Sequence, residues 1–335
     1  MRAIRWILIG VAFLLPVGAV ASQAAEKVKF VTSWVLYGAD AYLYVARDKG
    51  FYKAADIDIE INRGRGSGNT IREVSLKQFD FGYADAGTLV GSRLQGAKVK
   101  EIAVMYGRAP HGTFVLKGSG IEKPKDLEGR TLATQKGGST DLTFPAFASL
   151  AGFDAGKVKF KYMGIPSQLP SLLTGNVEGM LVYLTELPIM QAKVQEQKKE
   201  GHIILWADYG FNIYSNGVIA HDDDIANRPD LVRRFLKAST EGWADGTDRP
   251  EEAARLFLKS NPELSYKIVL GQWKVASELS ASEEAKKNGI GWALQEKMKA
   301  TRDIMFKAMG LKGEVQVEDL YTNQFNPKII PKTWK

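Results

Sequence analysis

The chain contains no cysteine in 335 residues. That absence excludes a disulfide framework, a thiolate metal site, a cysteine nucleophile and a lipid-bearing cysteine at a processed N-terminus. Histidine is almost as scarce. His111, His202 and His221 are widely spaced, and no H-E-x-x-H pair or G-x-S-x-G elbow accompanies them. The run His221-Asp-Asp-Asp224 offers metal-binding residue types, but consecutive side chains point in different directions, so it reads as a solvated turn. No metal, cofactor or catalytic residue is expected. Long apolar runs are lacking after residue 24, where none approaches the roughly 20 residues a membrane span needs. Positive charge is only mildly in excess, at +7, and the lysines are interleaved with acids in Lys193–Glu200 and Glu283–Lys287. Such interleaving describes solvated helix faces and argues against a nucleic-acid partner.

What is present begins at residues 1–24. Arg2 and Arg5 precede an apolar run from Trp6 to Val20, and small residues follow at Ala19, Ala21, Ser22 and Ala24. The run is short for a bilayer span and ends in small-residue cleavage chemistry. It predicts a secretory signal peptide cut after Ala24, with the Ala21–Ser22 bond as the competing site, and a periplasmic destination without a lipid anchor. About 310 residues then remain, enough for two domains.

From Val28 onward, short β-branched or aromatic runs alternate with helical segments: VKFVTSW, AYLYVARDKGFY, IDIEINRG, GNTIREVSLKQ and FDFGYADA. This rhythm predicts an α/β domain with a largely parallel sheet. Residues 131–208 repeat it. Both halves also carry an acid where a helix gives way to a strand, Asp80 in KQFDFG and Glu178 in GNVEG. Two similar α/β lobes joined by two linkers are the simplest reading, with residues 25–114 and 213–335 in lobe I and 115–212 in lobe II. Two hinge strands between two lobes make a central cleft that can close. After His221 the spacing of apolar residues predicts helices at Asn227–Trp243, Glu251–Leu258 and Ser282–Met309, packed on the first lobe.

The run Trp34-Val-Leu-Tyr37-Gly-Ala-Asp40-Ala-Tyr-Leu-Tyr44, followed by Lys49-Gly50-Phe-Tyr52 and Asp58-Ile-Glu-Ile61, resembles the opening of the NMT1/THI5-like substrate-binding proteins. The likeness continues through Gly64-Arg-Gly66-Ser-Gly68, Phe79-Asp80-Phe-Gly82 and Asp126-Leu-Glu-Gly129-Arg. It implies a two-lobed periplasmic-binding-protein fold of type II serving as the solute receptor of an ABC importer. An inner-membrane permease with its ATPase is then the implied partner, and the protein a monomer. Solutes in that superfamily include thiamine pyrimidine precursors, riboflavin, sulfonates, taurine, nitrate and aromatic acids. Asp40 stands where many of the pyrimidine binders carry His. The family's fungal pyrimidine synthases use a cysteine-rich metal motif, which this chain cannot form.

Ligands of open α/β domains sit where loops leave the carboxyl ends of strands. Three such loops are legible. In the first, Trp34 and Tyr37 could stack on a planar ligand and Asp40 accept from it; Trp34 as core and Asp40 as a helix cap are the competing readings. In the second, Gly66, Ser67, Gly68 and Asn69 open a helix whose N–H groups suit a carboxylate, sulfonate or ring carbonyl, a plain turn being the alternative. The third is Gly138, Ser139 and Thr140 in the other half, where a helix cap would also present donors to the cleft. Asp85 with Ala86, and Tyr183 with Glu186, end strands in corresponding places and are expected beside the ligand near the hinge. His111, next to Pro110 near a linker, is a weaker candidate.

These features predict a small planar heterocyclic or aromatic solute carrying an acidic or carbonyl group. A sulfonate, taurine or nitrate is the runner-up, and Arg65 or Lys136 would then matter more than Trp34. A periplasmic sensor subunit and a secreted enzyme on the same scaffold are the other classes of function.

Overall fold

The computed structural model describes residues 25–334, so the expected signal peptide and its cleavage sites lie outside the described residues. The strands are β1 (Glu26–Val31), β2 (Ile57–Asn62), β3 (Phe81–Asp85), β4 (Val99–Val104), β5 (His111–Leu116), β6 (Thr131–Thr134), β7 (Lys159–Tyr162), β8 (Gly179–Tyr183), β9 (Gly201–Leu205) and β10 (Asn216–His221). They form two five-stranded sheets, ordered β2-β1-β3-β10-β4 and β7-β6-β8-β5-β9. The two orders are the same topology used twice. In each, the strand in the fourth place arrives from the other lobe, β10 in the first sheet and β5 in the second.

That exchange corrects the expectation of largely parallel sheets. β1 runs parallel to β2 and β3, and β6 parallel to β7 and β8, whereas β10 and β5 are antiparallel to both of their neighbours. The parallel pairs are joined through crossover helices. β5 instead follows β4 after only residues 105–110, and so short a connection into another lobe carries no such helix. β5 lies wholly in the second sheet, so the boundary expected between 114 and 115 falls inside a strand. The two crossings are residues 105–110 and 206–215.

The repeated acid has a repeated task. Asp80 N donates to Lys29 O and Asp80 Oδ2 accepts from Lys29 N at 2.8 Å, tying the start of β3 to β1. Glu178 N donates to Thr131 O and Glu178 Oε2 accepts from Thr131 N at 3.0 Å, tying β8 to β6 in the same manner. Each acid also meets an arginine, Arg228 at 3.0 Å and Arg130 at 2.7 Å.

The C-terminal third departs from expectation in three ways. His221 is buried and its Nδ1 accepts from Asp223 N, so the histidine caps helix Asp222–Asn227 where a solvated turn was expected. A helix at Tyr266–Ser280 was not anticipated, and the expected helix over 282–309 is broken into Glu283–Asn288 and Gln295–Met309. Gly289 at the break has φ +106°, a backbone that L side chains rarely adopt. Helix Pro229–Asp248 packs on helix Ala41–Asp48 in the first lobe. Helices Tyr266–Ser280 and Gln295–Met309 touch elements of both lobes. Apolar packing also spans the hinge. Trp206, in the second crossing, stacks on Phe147 of the second lobe at 4.6 Å and joins a cluster that includes Val31 and Leu89 of the first.

Candidate ligand-binding cleft

Two helix entrances face each other across the lobes. In the first lobe, β1 hands the chain to Ser33 and Trp34, and β2 leads through Gly64 and Gly66 into helix Ser67–Ser75. Gly66 N donates to Ser33 O and Gly64 N to Trp34 O, which folds the two loops against each other. In the second lobe, β6 leads through Gly137 and Gly138 into helix Ser139–Ala151. Gly66 has φ +111°, and a Cβ there would lie 3.0 Å from Gly137 O. Glycine is required at that seam for its backbone and for its lack of bulk.

Between the entrances is a slot lined by Ser33, Trp34, Tyr37, Ser67, Ser139, Thr140, Leu181, Val182, Tyr183, Glu186 and Asn216. Its unfilled space is about 410 Å³ with the open mouth included. The walls stand close together, as in a lobe-closed form. Direct contacts between the lobes hold them in this position. Gln135 Nε2 donates to Arg65 O at 2.6 Å, and the Tyr37 and Thr185 hydroxyls are 3.1 Å apart.

Seven residues singled out in the sequence line the slot: Trp34, Tyr37, Ser67, Ser139, Thr140, Tyr183 and Glu186. The other seven do not. Asp40 is buried, and its Oδ2 accepts from Tyr37 N at 3.2 Å, so it closes its own turn. Asp85 and Ala86 lie behind the wall. Asp85 caps helix Ala86–Leu94 through Thr88 N and Thr88 Oγ1 and accepts from Ser215 Oγ. Gly66, Gly68 and Gly138 shape the seam, a Cβ at Gly68 lying 3.0 Å from Leu142 and one at Gly138 3.5 Å from the Trp34 ring. Asn69 turns to Arg65 O.

Sequence reasoning missed Ser33, Leu181, Val182 and Asn216. Asn216 opens β10 and donates to Ser33 Oγ at 3.0 Å. It reaches the slot only because β10 inserts beside β3, a placement no local signal announces. Leu181 and Val182 precede a singled-out tyrosine on β8 and were readable as core alone.

The electrostatics of the slot are one-sided. Among the described residues lining it there is no Lys, Arg or His. Arg65 is exposed and paired with Glu73 at 2.8 Å, and Lys136 lies over the Tyr162 ring. Glu186 is half-buried, and its Oε2 accepts from Tyr183 N at 2.9 Å. Burial raises its carboxyl to about 7, against the lowering effect of that bond. The Trp34 indole N–H faces the same carboxyl without completing a hydrogen bond of normal geometry, and is buried without another partner. Burial likewise pushes the Tyr37 and Tyr183 phenols well above their usual range, so both remain protonated. The first-turn N–H groups at Ser67 and Ser139 add partial positive charge from the two facing entrances, one in each lobe.

A family model of NMT1/THI5-like proteins matches residues 40–253. The chain belongs to that family. Among curated relatives of this NMT1/THI5-like protein, the riboflavin-binding protein RibY of Chloroflexus aurantiacus is 27% identical over 313 residues, covering 92% of this chain and 88% of the relative. A 4-amino-5-hydroxymethyl-2-methylpyrimidine phosphate synthase of Legionella pneumophila is 24% identical, covering 72% and 76%. Among solved structures, the alkanesulfonate-binding protein SsuA of Xanthomonas axonopodis pv. citri, bound to MOPS, superposes with a TM-score of 0.69 at 12% identity, covering 90% and 99%. The architecture is therefore the two-lobed periplasmic-binding-protein fold, and the proteins similar to this chain include both a solute-binding protein and a synthase by name.

Proposed function

We propose that this protein is a periplasmic solute receptor that captures a small planar heterocycle between its two lobes and presents it, closed, to an ABC-type permease. The observation that carries the reading is a slot with aromatic walls, one carboxyl group and no basic side chain. Trp34 and Tyr37 provide flat apolar area. Glu186 accepts from a ring N–H or amino group once ionised, and the helix entrances at Ser67 and Ser139 suit a carbonyl. A heterocycle carrying both groups complements these walls, and riboflavin, named in the Chloroflexus relative, is such a molecule. A sulfonate or nitrate would bring a full negative charge toward Glu186 with Arg65 and Lys136 engaged elsewhere.

Binding by closure follows from differential contact. The open form offers the first lobe alone, while the closed form adds Ser139, Thr140, Tyr183 and Glu186, so a ligand touching both lobes shifts the population toward closed. Nothing in this process requires a change in the ligand.

Native mass spectrometry with thermal shift of the purified protein tests the reading, using riboflavin, uracil, benzoate, an alkanesulfonate and nitrate as probes. The expected result is a single stoichiometric adduct with a planar heterocycle, released unaltered, that raises the melting temperature. Trp34→Ala should then weaken that adduct about tenfold or more, the scale of a lost aromatic contact. Stabilisation by the sulfonate or nitrate alone would replace the heterocycle with an anion. A chemically altered ligand would move the protein to the synthase side of its family.

A further inference from the structure

His111 does not line the slot, but it stands directly behind it. It opens β5 at the end of the first crossing and is fully buried, with its ring stacked on Trp206 at 5.4 Å and edge-on to Phe211. Its Nε2 is 3.2 Å from Tyr183 Oη and 3.5 Å from Asp85 Oδ2. Its Nδ1 is buried with no hydrogen-bond partner. Burial lowers the imidazole to about 4, against the opposing pull of Asp85, so the ring is neutral and carries one N–H.

Where that proton sits decides the direction of every bond beyond it. On Nδ1 it would be a buried donor with no acceptor, which is the more costly kind of orphan; a lone pair there costs less. The proton therefore belongs on Nε2, directed at the Tyr183 oxygen and Asp85. Asp85 Oδ2 is already engaged by Ser215 Oγ at 2.9 Å, and Tyr183 Oη is 3.5 Å from it, a long separation for a bond between oxygens. The Tyr183 hydroxyl accordingly donates to Ser139 Oγ, which is 2.6 Å away. The Ser139 hydroxyl proton is left to point into the slot.

We propose that His111 is a positioning residue that acts through Tyr183 to set Ser139 as a hydrogen-bond donor, so that the solute meets the second lobe with an acceptor such as a ring carbonyl. The ligand half of this inference rests on the receptor reading above and deepens it: N–H toward Glu186, carbonyl toward Ser139. The relay itself is a property of the unliganded chain and can be tested alone.

Imidazole nitrogen NMR of the ¹⁵N-histidine-labelled protein, with His111→Gln used to assign the signal, should show His111 as the neutral Nε2–H tautomer from pH 8 to about 6. A proton on Nδ1, or an imidazolium, overturns the relay. Uracil and cytosine supply the second arm, because they share a shape but exchange a carbonyl and N–H for an amino group and bare nitrogen. Uracil should bind about tenfold more tightly at pH 8, the scale of one mispaired buried hydrogen bond. His111→Gln, which retains a donor, should keep the preference, and His111→Phe should lose it while still melting cooperatively. An unchanged preference in folded His111→Phe overturns the positioning role. An Nε2–H spectrum with neither base bound overturns the carbonyl-bearing ligand and leaves the relay standing.

Discussion

Asp40 shows how burial decides a residue's part. Its sequence context allowed a ligand contact or a cap; its carboxyl instead closes the turn at Tyr37 and is raised by burial to about 8. Between about pH 4 and 8 the folded protein holds a proton that the unfolded chain releases, so this group makes stability fall as pH rises through that window. Glu186, raised to about 7, acts in the same direction over a narrower range. His111, lowered to about 4, acts oppositely, its contribution being lost as pH falls from about 6.5 to 4. Asp40→Asn keeps the acceptor for Tyr37 N without the ionisation. Urea midpoints measured across pH 5–8 should decline less steeply in this variant than in the wild type, and equal slopes would exclude Asp40 as a source of the decline. Of the cavity wall, Trp34, Ser67, Ser139 and Glu186 were legible because each stands in a recognisable loop or strand end. Asn216 was not, since nothing near it in sequence marks a ligand contact.

At the level of elements, the strand-helix rhythm and the paired acids were readable because they depend on local periodicity. β2 and β6 fall where β-branched and apolar residues cluster, and Asp80 and Glu178 occupy matching positions before β3 and β8. Each acid satisfies a strand N–H and an arginine, so Asp80→Ala and Glu178→Ala should each destabilise the fold by about 1–2 kcal/mol, the scale of a charge-assisted hydrogen bond. Lying in different lobes with no shared partner, the two losses should add within about 0.5 kcal/mol in the double variant, as chemical denaturation can measure. A double variant no less stable than either single one would show that the two sites are coupled and do not act independently. The break at Gly289 and the helix Tyr266–Ser280 escaped the sequence reading. Apolar spacing continued across the glycine, and Trp273 and Val269 became core only through contacts with distant segments.

For the whole molecule, the seam between lobes is the working part. Gly66 meets Gly137 and Gly138 there with no room for a side chain, Gln135 reaches Arg65 O, and a Cβ at Gly271 would lie 3.1 Å from the Pro188 side chain. Gly66→Val should therefore hold the lobes apart. Small-angle scattering with a saturating probe ligand should show compaction in the wild type and little in the variant, alongside weaker binding; equal compaction would show that closure does not use this seam. The sequence by itself determined two α/β units, the loops that open helices at their strand ends, and a chemistry without thiols or a histidine constellation. These follow from composition and from periods of two and 3.6 residues, which are local. Only the tertiary structure decided that β5 and β10 are exchanged between sheets, that Asp40 and Asp85 turn away from the slot, and that His111 stands behind Tyr183. Those outcomes depend on which distant backbone a side chain finds beside it, and on how far burial then moves its proton.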